Sequence, residues 1–95
     1  MPVIVSRGAE NDLADITDYI SRDNPWRALS FAEELEARFI EVGERPFSFS
    51  ARPEWGNGKR SAVHGRYVII FQILDDHVKI FRVVHGARDL DELFS

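Results

Sequence analysis

Three short apolar segments joined by two-residue links occupy the last third of the chain. They cover Lys59–His64, residues 67–74 and residues 77–84, and the links are Gly65-Arg66 and Asp75-Asp76. A two-residue link that begins with glycine suits the twist of a β-hairpin. The spacing therefore predicts a three-stranded antiparallel meander. Residues 67–74 are apolar at nearly every position, so we expect them to form the central strand, covered on both faces.

Alternation in the third segment assigns its side chains to the two faces of the sheet. One face is expected to carry Val78, Ile80, Arg82 and Val84. The other face is expected to carry His77, Lys79, Phe81 and Val83. Gly86 should end this strand, and residues 88–94 are predicted to form a short helix or an extended tail.

Two amphipathic helices are predicted before the meander. Val3–Val5 is a β-branched run typical of a strand, and Ser6 can cap the helix that follows it. Apolar residues at three- and four-residue spacing define the buried face of this helix. They are Ala9, Leu13, Ile16 and Ile20. The helix should end near Arg22 and Asp23.

Asn24-Pro25 indicates that a second helix begins directly, since Asn is a favoured cap and Pro fits the first helical position. This helix should cover Pro25–Glu44, and so short a link predicts an antiparallel helical hairpin. Its buried face is expected to contain Ala28, Phe31, Ala32, Leu35, Phe39, Ile40 and Val42.

Residues 45–58 are irregular and contain three aromatic side chains, Phe47, Phe49 and Trp55. They could tuck under the sheet or form a binding surface, and tucking is favoured because exposed aromatics promote aggregation. The sequence as a whole predicts an α+β fold in which an N-terminal strand precedes an antiparallel helical hairpin, packed on one face of an antiparallel β-meander. We expect residues 1–95 to form a single domain.

The composition excludes several classes of function. The chain has no cysteine, so it has neither disulfides nor thiolate metal ligands, and its three histidines are not clustered. We therefore expect no metal site and no cofactor. A net charge of −4 argues against broad nucleic-acid binding, and we expect no sequence-specific contact with nucleic acid. No signal-peptide pattern or run of roughly 18 apolar residues is evident, which predicts a cytoplasmic protein without membrane contact.

The chain resembles the RelE/ParE superfamily, the small bacterial toxins of type II toxin–antitoxin systems. The matching segments are the first strand followed by SRGAENDLADI, the helical hairpin broken at DNP, the central strand RYVIIFQI, and the terminal segment VKIFRVVHGARDL. The terminal segment is the most specific of these. The resemblance covers nearly the whole chain and implies the fold described above.

RelE-like members resemble ribosome-dependent endonucleases that cut messenger RNA. Their chemistry needs a base, cations around the phosphate and an acid for the leaving oxygen. The resemblance places Val68 where such enzymes carry an arginine, and Phe94 where they carry a tyrosine. An endonuclease function is therefore the alternative hypothesis. It would use His85, Arg88, Arg60 and Lys59 as catalytic residues.

The ParE-like branch fits the chain better, because its members inhibit DNA gyrase by binding and have no catalytic residues. This resemblance implies a ParD-like antitoxin, a ribbon-helix-helix protein, as partner. Contact with the target is assigned to Arg88, Asp89 and Arg82. An equal alternative is that Arg88 and Asp89 hold the C-terminal segment against the body of the protein. The candidate anchors for the antitoxin are Trp26, Phe31, Phe47, Phe49 and Trp55.

Overall fold

A computed structural model describes residues 1–86 and 88–94, and in it the chain forms a mixed five-stranded sheet with helices. The strands are β1 (Val3–Val5), β2 (Ser50–Ala51), β3 (Lys59–His64), β4 (Tyr67–Ile73) and β5 (Val78–His85). The helices are α1 (Arg7–Asp23), α2 (Pro25–Glu44) and α3 (Leu90–Phe94). Ala87, which belongs to the predicted terminal motif, lies outside the described residues. No helix in the described part combines the length and apolar character needed to cross a membrane.

The sheet confirms the predicted meander and extends it at both edges. Its strand order is β1-β5-β4-β3-β2, with β1 parallel to β5 and the other pairs antiparallel. β4 is central, and its residues Ile69, Ile70 and Phe71 are fully buried, as a strand covered on both faces requires. The short strand β2 was not expected from the sequence, because two residues are too few to show alternation.

Local capping sets the ends of both long helices as the sequence predicts. The Ser6 side chain accepts a hydrogen bond from the Ala9 N–H at 3.1 Å. The Asn24 side chain accepts one from the Arg27 N–H at 3.0 Å, while the Asn24 N–H donates to the Ile20 carbonyl at 2.9 Å. Asn24 therefore ends α1 and begins α2, which folds the two helices back on each other.

The core lies between the helical hairpin and one face of the sheet. Its buried side chains come from α1, α2, β3, β4 and β5, and they are Ala9, Phe31, Leu35, Phe39, Val42, Ala62, Ile69, Phe71, Val78, Ile80 and Val83. Leu13, Ile16 and Ile20 are partly buried against this cluster. The prediction for Ile40 was wrong, since its side chain is 60% exposed on the outer side of α2.

A β-bulge in β5 overturns the predicted faces of that strand. Phe71 pairs with Ile80, but the preceding residue Ile70 pairs with Arg82, so Phe81 is an extra residue. A bulge shifts the alternation by one position beyond it. As a result, Ile80 and Val83 both point into the core, although simple alternation places them on opposite faces.

Candidate functional site

Beyond the end of β1, side chains of residues 6–12 form hydrogen bonds with the backbone of β5. β1 pairs with β5 only as far as Ile80. Beyond it, the Ser6 hydroxyl donates to the Phe81 carbonyl at 2.7 Å, and an Asp12 carboxylate oxygen accepts from the Val83 N–H at 2.9 Å. The start of α1 is thereby fixed against this strand.

The same carboxylate binds the Arg82 guanidinium through both of its oxygens. The Arg82 Nε–Asp12 Oδ2 distance is 2.7 Å, and the Arg82 Nη2–Asp12 Oδ1 distance is 2.9 Å. The hydrogen bond to Asp12 raises the pKa of Arg82, against a smaller opposing effect of burial, and the charge of Asp89 adds to the increase. Arg82 is therefore committed to a contact inside the protein rather than free for a target.

A cavity of about 560 Å³ opens beside this ion pair, between α1, the end of β5 and the C-terminal segment. It contains all three residues assigned to target contact, Arg82, Arg88 and Asp89. Its other lining side chains are Asp12, Asp15, Ile16, Tyr19, Tyr67, Val83, Val84, His85, Glu92 and Leu93. The structure thus brings the predicted target-binding residues to one place.

Arg88 and Asp89 are held at the rim of the cavity by their backbone. The N–H groups of both residues donate to the His85 carbonyl, at 3.2 Å for Arg88 and 2.9 Å for Asp89. Asp89 in turn accepts at its carbonyl from the Leu93 N–H at 3.0 Å, within the turn that opens α3. The Arg88 side chain is exposed, so a hydrogen-bonded backbone presents a guanidinium to solvent.

Tyr67 and His85 form the floor of the cavity as directly paired residues of β4 and β5. Their rings meet edge to face, with centroids 5.5 Å apart. His85 Nδ1 is buried, and among the described residues it has no hydrogen-bond partner. Nearby, the Gly86 N–H donates to the Arg66 carbonyl at 2.9 Å. A Cβ on Gly86 would lie 3.2 Å from Val68 Cγ2, so Val68 packs closely there.

The four residues of the endonuclease hypothesis do not form one site. Lys59 lies over the Phe81 ring at 5.0 Å, and Arg60 donates to the Phe49 carbonyl at 2.7 Å. Both residues lie at the start of β3. His85 instead pairs with Tyr67, which pairs with His64 at the far end of β3. Five residues of strand correspond to about 16 Å. Lys59 and Arg60 are therefore distant from His85 and Arg88.

The C-terminal helix is fixed by an aromatic stack that involves one of the proposed antitoxin anchors. The Phe94 ring is stacked on Trp55, with centroids 4.9 Å apart and planes 4° apart. The Arg52 guanidinium lies 3.9 Å from the Trp55 ring centroid. Trp55 is thus engaged within the protein, and Phe94 has a packing role.

Two more of the proposed antitoxin anchors pack inside the protein. Phe31 is only 5% exposed and belongs to the core, so it cannot anchor a partner in this fold. Phe49 packs edge to face on Phe71, with centroids 5.8 Å apart. This contact agrees with the expected tucking of the loop aromatics.

Trp26 and Phe47 remain available on the surface. Trp26 is 81% exposed at the start of α2, and Phe47 is 68% exposed. Arg60 lies over the Phe47 ring at 5.3 Å, which leaves the other face of the ring open. The expectation that Phe47 tucks under the sheet was therefore wrong.

A second polar cluster connects α2 to the β3–β4 hairpin. The Glu34 carboxylate contacts Arg27 Nη1 at 2.6 Å and His64 Nε2 at 2.9 Å. Both hydrogen bonds lower the pKa of Glu34, and the one from Arg27 has the larger effect. No group of three or more residues suited to a metal ion occurs within 1–86 and 88–94.

Asp12 and Tyr67 are two of the cavity residues that the sequence did not indicate. In the sequence, Asp12 is one of several acids early in a helix, where carboxylates complement the helix dipole. Its partner Arg82 is 70 positions away, and no local pattern connects the two. Tyr67 was read as the first residue of an apolar strand, and only the strand register places it beside His85.

A family model matches most of the chain, and a solved structure shares its fold. The sequence matches the family model for the ParE toxin of the type II toxin-antitoxin system, parDE, over residues 3–90. The fold is similar to a solved chain described as the chromosomal ParDE TA system from P. aeruginosa, with a TM-score of 0.79. The two sequences are 19% identical, and the match covers 90% of this chain and 95% of that one. At this identity the likeness establishes the fold alone. No curated protein matches the chain.

Proposed function

Because the chain belongs to the family of ParE toxins of type II toxin–antitoxin systems, we propose that it inhibits DNA gyrase by binding it, without catalysis of its own. In this proposal a ParD-like antitoxin of the ribbon-helix-helix class neutralises it, and both proteins act in the cytoplasm. No cofactor takes part.

The distribution of the basic residues is the observation that carries this proposal. Phosphoryl transfer needs its base and its cations around one phosphate. Here Lys59 contacts an aromatic ring, and Arg60 contacts an aromatic ring and a backbone carbonyl. Both lie at the start of β3, far from His85 and Arg88. Such an arrangement supports a binding protein better than an endonuclease.

We assign the target contact to the rim of the cavity, with Arg88 as its main residue. Arg88 is exposed on a hydrogen-bonded backbone, and a guanidinium can bind a carboxylate through two parallel hydrogen bonds. Asp89 adds a negative charge at the same rim. Arg82 contributes indirectly, since its ion pair with Asp12 fixes the wall of the cavity.

A supercoiling assay with purified gyrase tests the proposal. The toxin should inhibit supercoiling, and adding the antitoxin should restore it. Ribosome-bound messenger RNA should stay intact in a parallel translation reaction. Codon-linked cleavage of the messenger RNA together with unaffected supercoiling would instead establish the endonuclease alternative.

A further inference from the structure

The turn that presents Arg88 at the cavity rim is anchored at its first residue. The His85 carbonyl accepts hydrogen bonds from the N–H groups of Arg88 and Asp89, at 3.2 and 2.9 Å. Directly after it, the Gly86 N–H donates to the Arg66 carbonyl at 2.9 Å. Because two of these hydrogen bonds converge on one oxygen, the position of His85 sets the position of the Arg88 backbone.

An aromatic ladder connects His85 to the core. Phe31 is 5% exposed and belongs to the core, and the Tyr67 ring meets it edge to face with centroids 5.3 Å apart. The His85 ring meets the Tyr67 ring in the same way, with centroids 5.5 Å apart and planes at 83°. Edge-to-face pairs have a preferred geometry and add to stability beyond their buried area. We call Phe31, Tyr67 and His85 the aromatic ladder, in which Tyr67 is the middle ring.

The aromatic ladder acts where backbone pairing gives β5 the least support. Tyr67 and His85 are the terminal pair of β4 and β5, and on the other side of β5 the pairing with β1 ends at Ile80. The ends of strands open more readily than their centres. The ring contact between Tyr67 and His85 therefore limits fraying at the residue from which the Arg88 turn starts.

We propose that Tyr67 is a positioning residue for the target contact. Its ring holds the His85 ring, and the His85 carbonyl holds the backbone that presents Arg88. This inference rests on the proposed function, in which Arg88 binds the target, and it adds a residue that acts through another one. A guanidinium that binds a carboxylate through two parallel hydrogen bonds needs a defined direction. A loop already held in its binding conformation also loses less entropy on association.

A direct role for the Tyr67 hydroxyl is the competing explanation, because Tyr67 lines the cavity. The two explanations assign the function to different atoms of one side chain. The contacts of the aromatic ladder are contacts between rings, so Tyr67→Phe should behave as the wild type if Tyr67 positions His85. A hydroxyl that binds the target or transfers a proton would be lost in this variant.

Amide hydrogen exchange of the purified toxin, followed residue by residue by NMR, tests whether Tyr67 holds the turn. Tyr67→Ala should accelerate exchange of the Arg88 and Asp89 amides about two- to tenfold, while Tyr67→Phe should leave it unchanged. Tyr19→Ala is the matched control, because it removes an exposed tyrosine of the same cavity and should also leave exchange of these two amides unchanged. Thermal denaturation should show that each variant is folded.

A double-variant comparison tests whether Tyr67 acts through His85. His85→Ala removes the outer ring and keeps the contact between Tyr67 and Phe31, so it decides the question even where Tyr67→Ala does not fold. It should accelerate exchange at Arg88 and Asp89 about as much as Tyr67→Ala does. The double variant should exchange no faster than the single variants, since changes that remove one shared contact are not additive. Additive effects would show that the two rings act independently.

Inhibition of gyrase supercoiling connects the turn to the target. Tyr67→Ala should raise the toxin concentration needed for half-inhibition by about two- to tenfold, because fewer molecules hold the turn in place. In an Arg88→Ala background it should cause no further loss, because the contact that Tyr67 positions is already absent. Tyr67→Phe should inhibit gyrase as the wild type does.

The outcomes separate this inference from the proposed function. Unchanged exchange at Arg88 and Asp89 in folded Tyr67→Ala or His85→Ala would overturn Tyr67 as a positioning residue and leave gyrase inhibition intact as the proposed function. Loss of inhibition in Tyr67→Phe with unchanged exchange would assign the role to the hydroxyl instead. Failure of the wild-type toxin to inhibit gyrase would reject the proposed function, and the exchange results would still decide whether the aromatic ladder holds the turn.

Discussion

Asp12 on α1 and Arg82 on β5 form a bidentate ion pair at 2.7 and 2.9 Å, and the same carboxylate binds the Val83 N–H. The Asp12 side chain thus neutralises a partly buried cation. It also accepts a hydrogen bond from a backbone N–H of β5 that lies beyond the pairing with β1. An edge strand with unpaired groups invites pairing with other chains. The pair therefore links the stability of the fold to the wall of the candidate target site.

Replacing Asp12 should destabilise the protein strongly. Asp12→Ala leaves the Arg82 guanidinium and the Val83 N–H without their acceptor, and the expected loss is about 2–3 kcal/mol of unfolding free energy. Thermal or urea denaturation measures it. Asp18→Ala is the control, because the Asp18–Arg22 pair is exposed and contributes less than about 1 kcal/mol. Equal losses of unfolding free energy in the two variants would show that the Asp12 contact stabilises the fold no more than an exposed ion pair does.

Replacing Arg88 should reduce toxicity without affecting the fold. Arg88→Ala removes an exposed guanidinium, so growth inhibition and gyrase inhibition should fall while the melting temperature stays within the range of surface substitutions. Arg88→Lys should restore little, because lysine cannot copy a bidentate contact. Arg66→Ala, at an exposed turn, is the matched control. A lower melting temperature together with lost activity would mean that Arg88 braces the C-terminal segment.

Removing the Phe94 ring should loosen α3 selectively. Phe94→Ala abolishes the stack on Trp55, and an aromatic pair contributes about 0.5–1.5 kcal/mol beyond its buried area. Amide hydrogen exchange in Leu90–Phe94 should accelerate, and tryptophan fluorescence should change. Phe47→Ala removes an exposed ring and should leave exchange in α3 unchanged. Unchanged exchange in Phe94→Ala would show that other contacts fix the helix.

Acid should weaken the link between α2 and the β3–β4 hairpin. The pKa of Glu34 is lowered in the folded protein, mainly by Arg27 and then by His64. A carboxyl of this kind stabilises the fold above the ordinary glutamate pKa of about 4.3, and the contribution is lost as pH falls through the lowered value. Glu34→Gln should therefore lower the melting temperature at pH 7 and have less effect in strong acid. Glu33→Gln, which breaks no ion pair among the described residues, should show no such pH dependence.

Local sequence signals predicted the secondary structure and most of the topology. Ser6 and Asn24 cap helices through hydrogen bonds to residues three positions away, so the sequence reveals them directly. The same holds for the two-residue links of the meander and for the apolar central strand β4, which lies in the middle of the sheet. These features depend on backbone geometry and near neighbours, which a linear pattern records.

The candidate site was predicted less completely, because its parts come together only through packing. Arg82, Arg88 and Asp89 line one cavity, but the ion pair between Arg82 and Asp12 depends on how α1 lies across β5. Phe31 was assigned both to the buried face of α2 and to the antitoxin surface, and the structure shows it buried while Trp26 is exposed. Both are aromatic residues of one helix, and their difference is set by the sheet against which the helix packs.

The sequence alone determined the order and type of the main elements, the ends of the two long helices and the family that the chain resembles. The tertiary structure decided which faces those elements present. A single extra residue, Phe81, shifts the alternation of β5 and brings Val83 into the core. The physical reason is one of range: capping and turn formation act over a few residues, whereas bulges, ion pairs and burial are selected by contacts between segments distant in the chain.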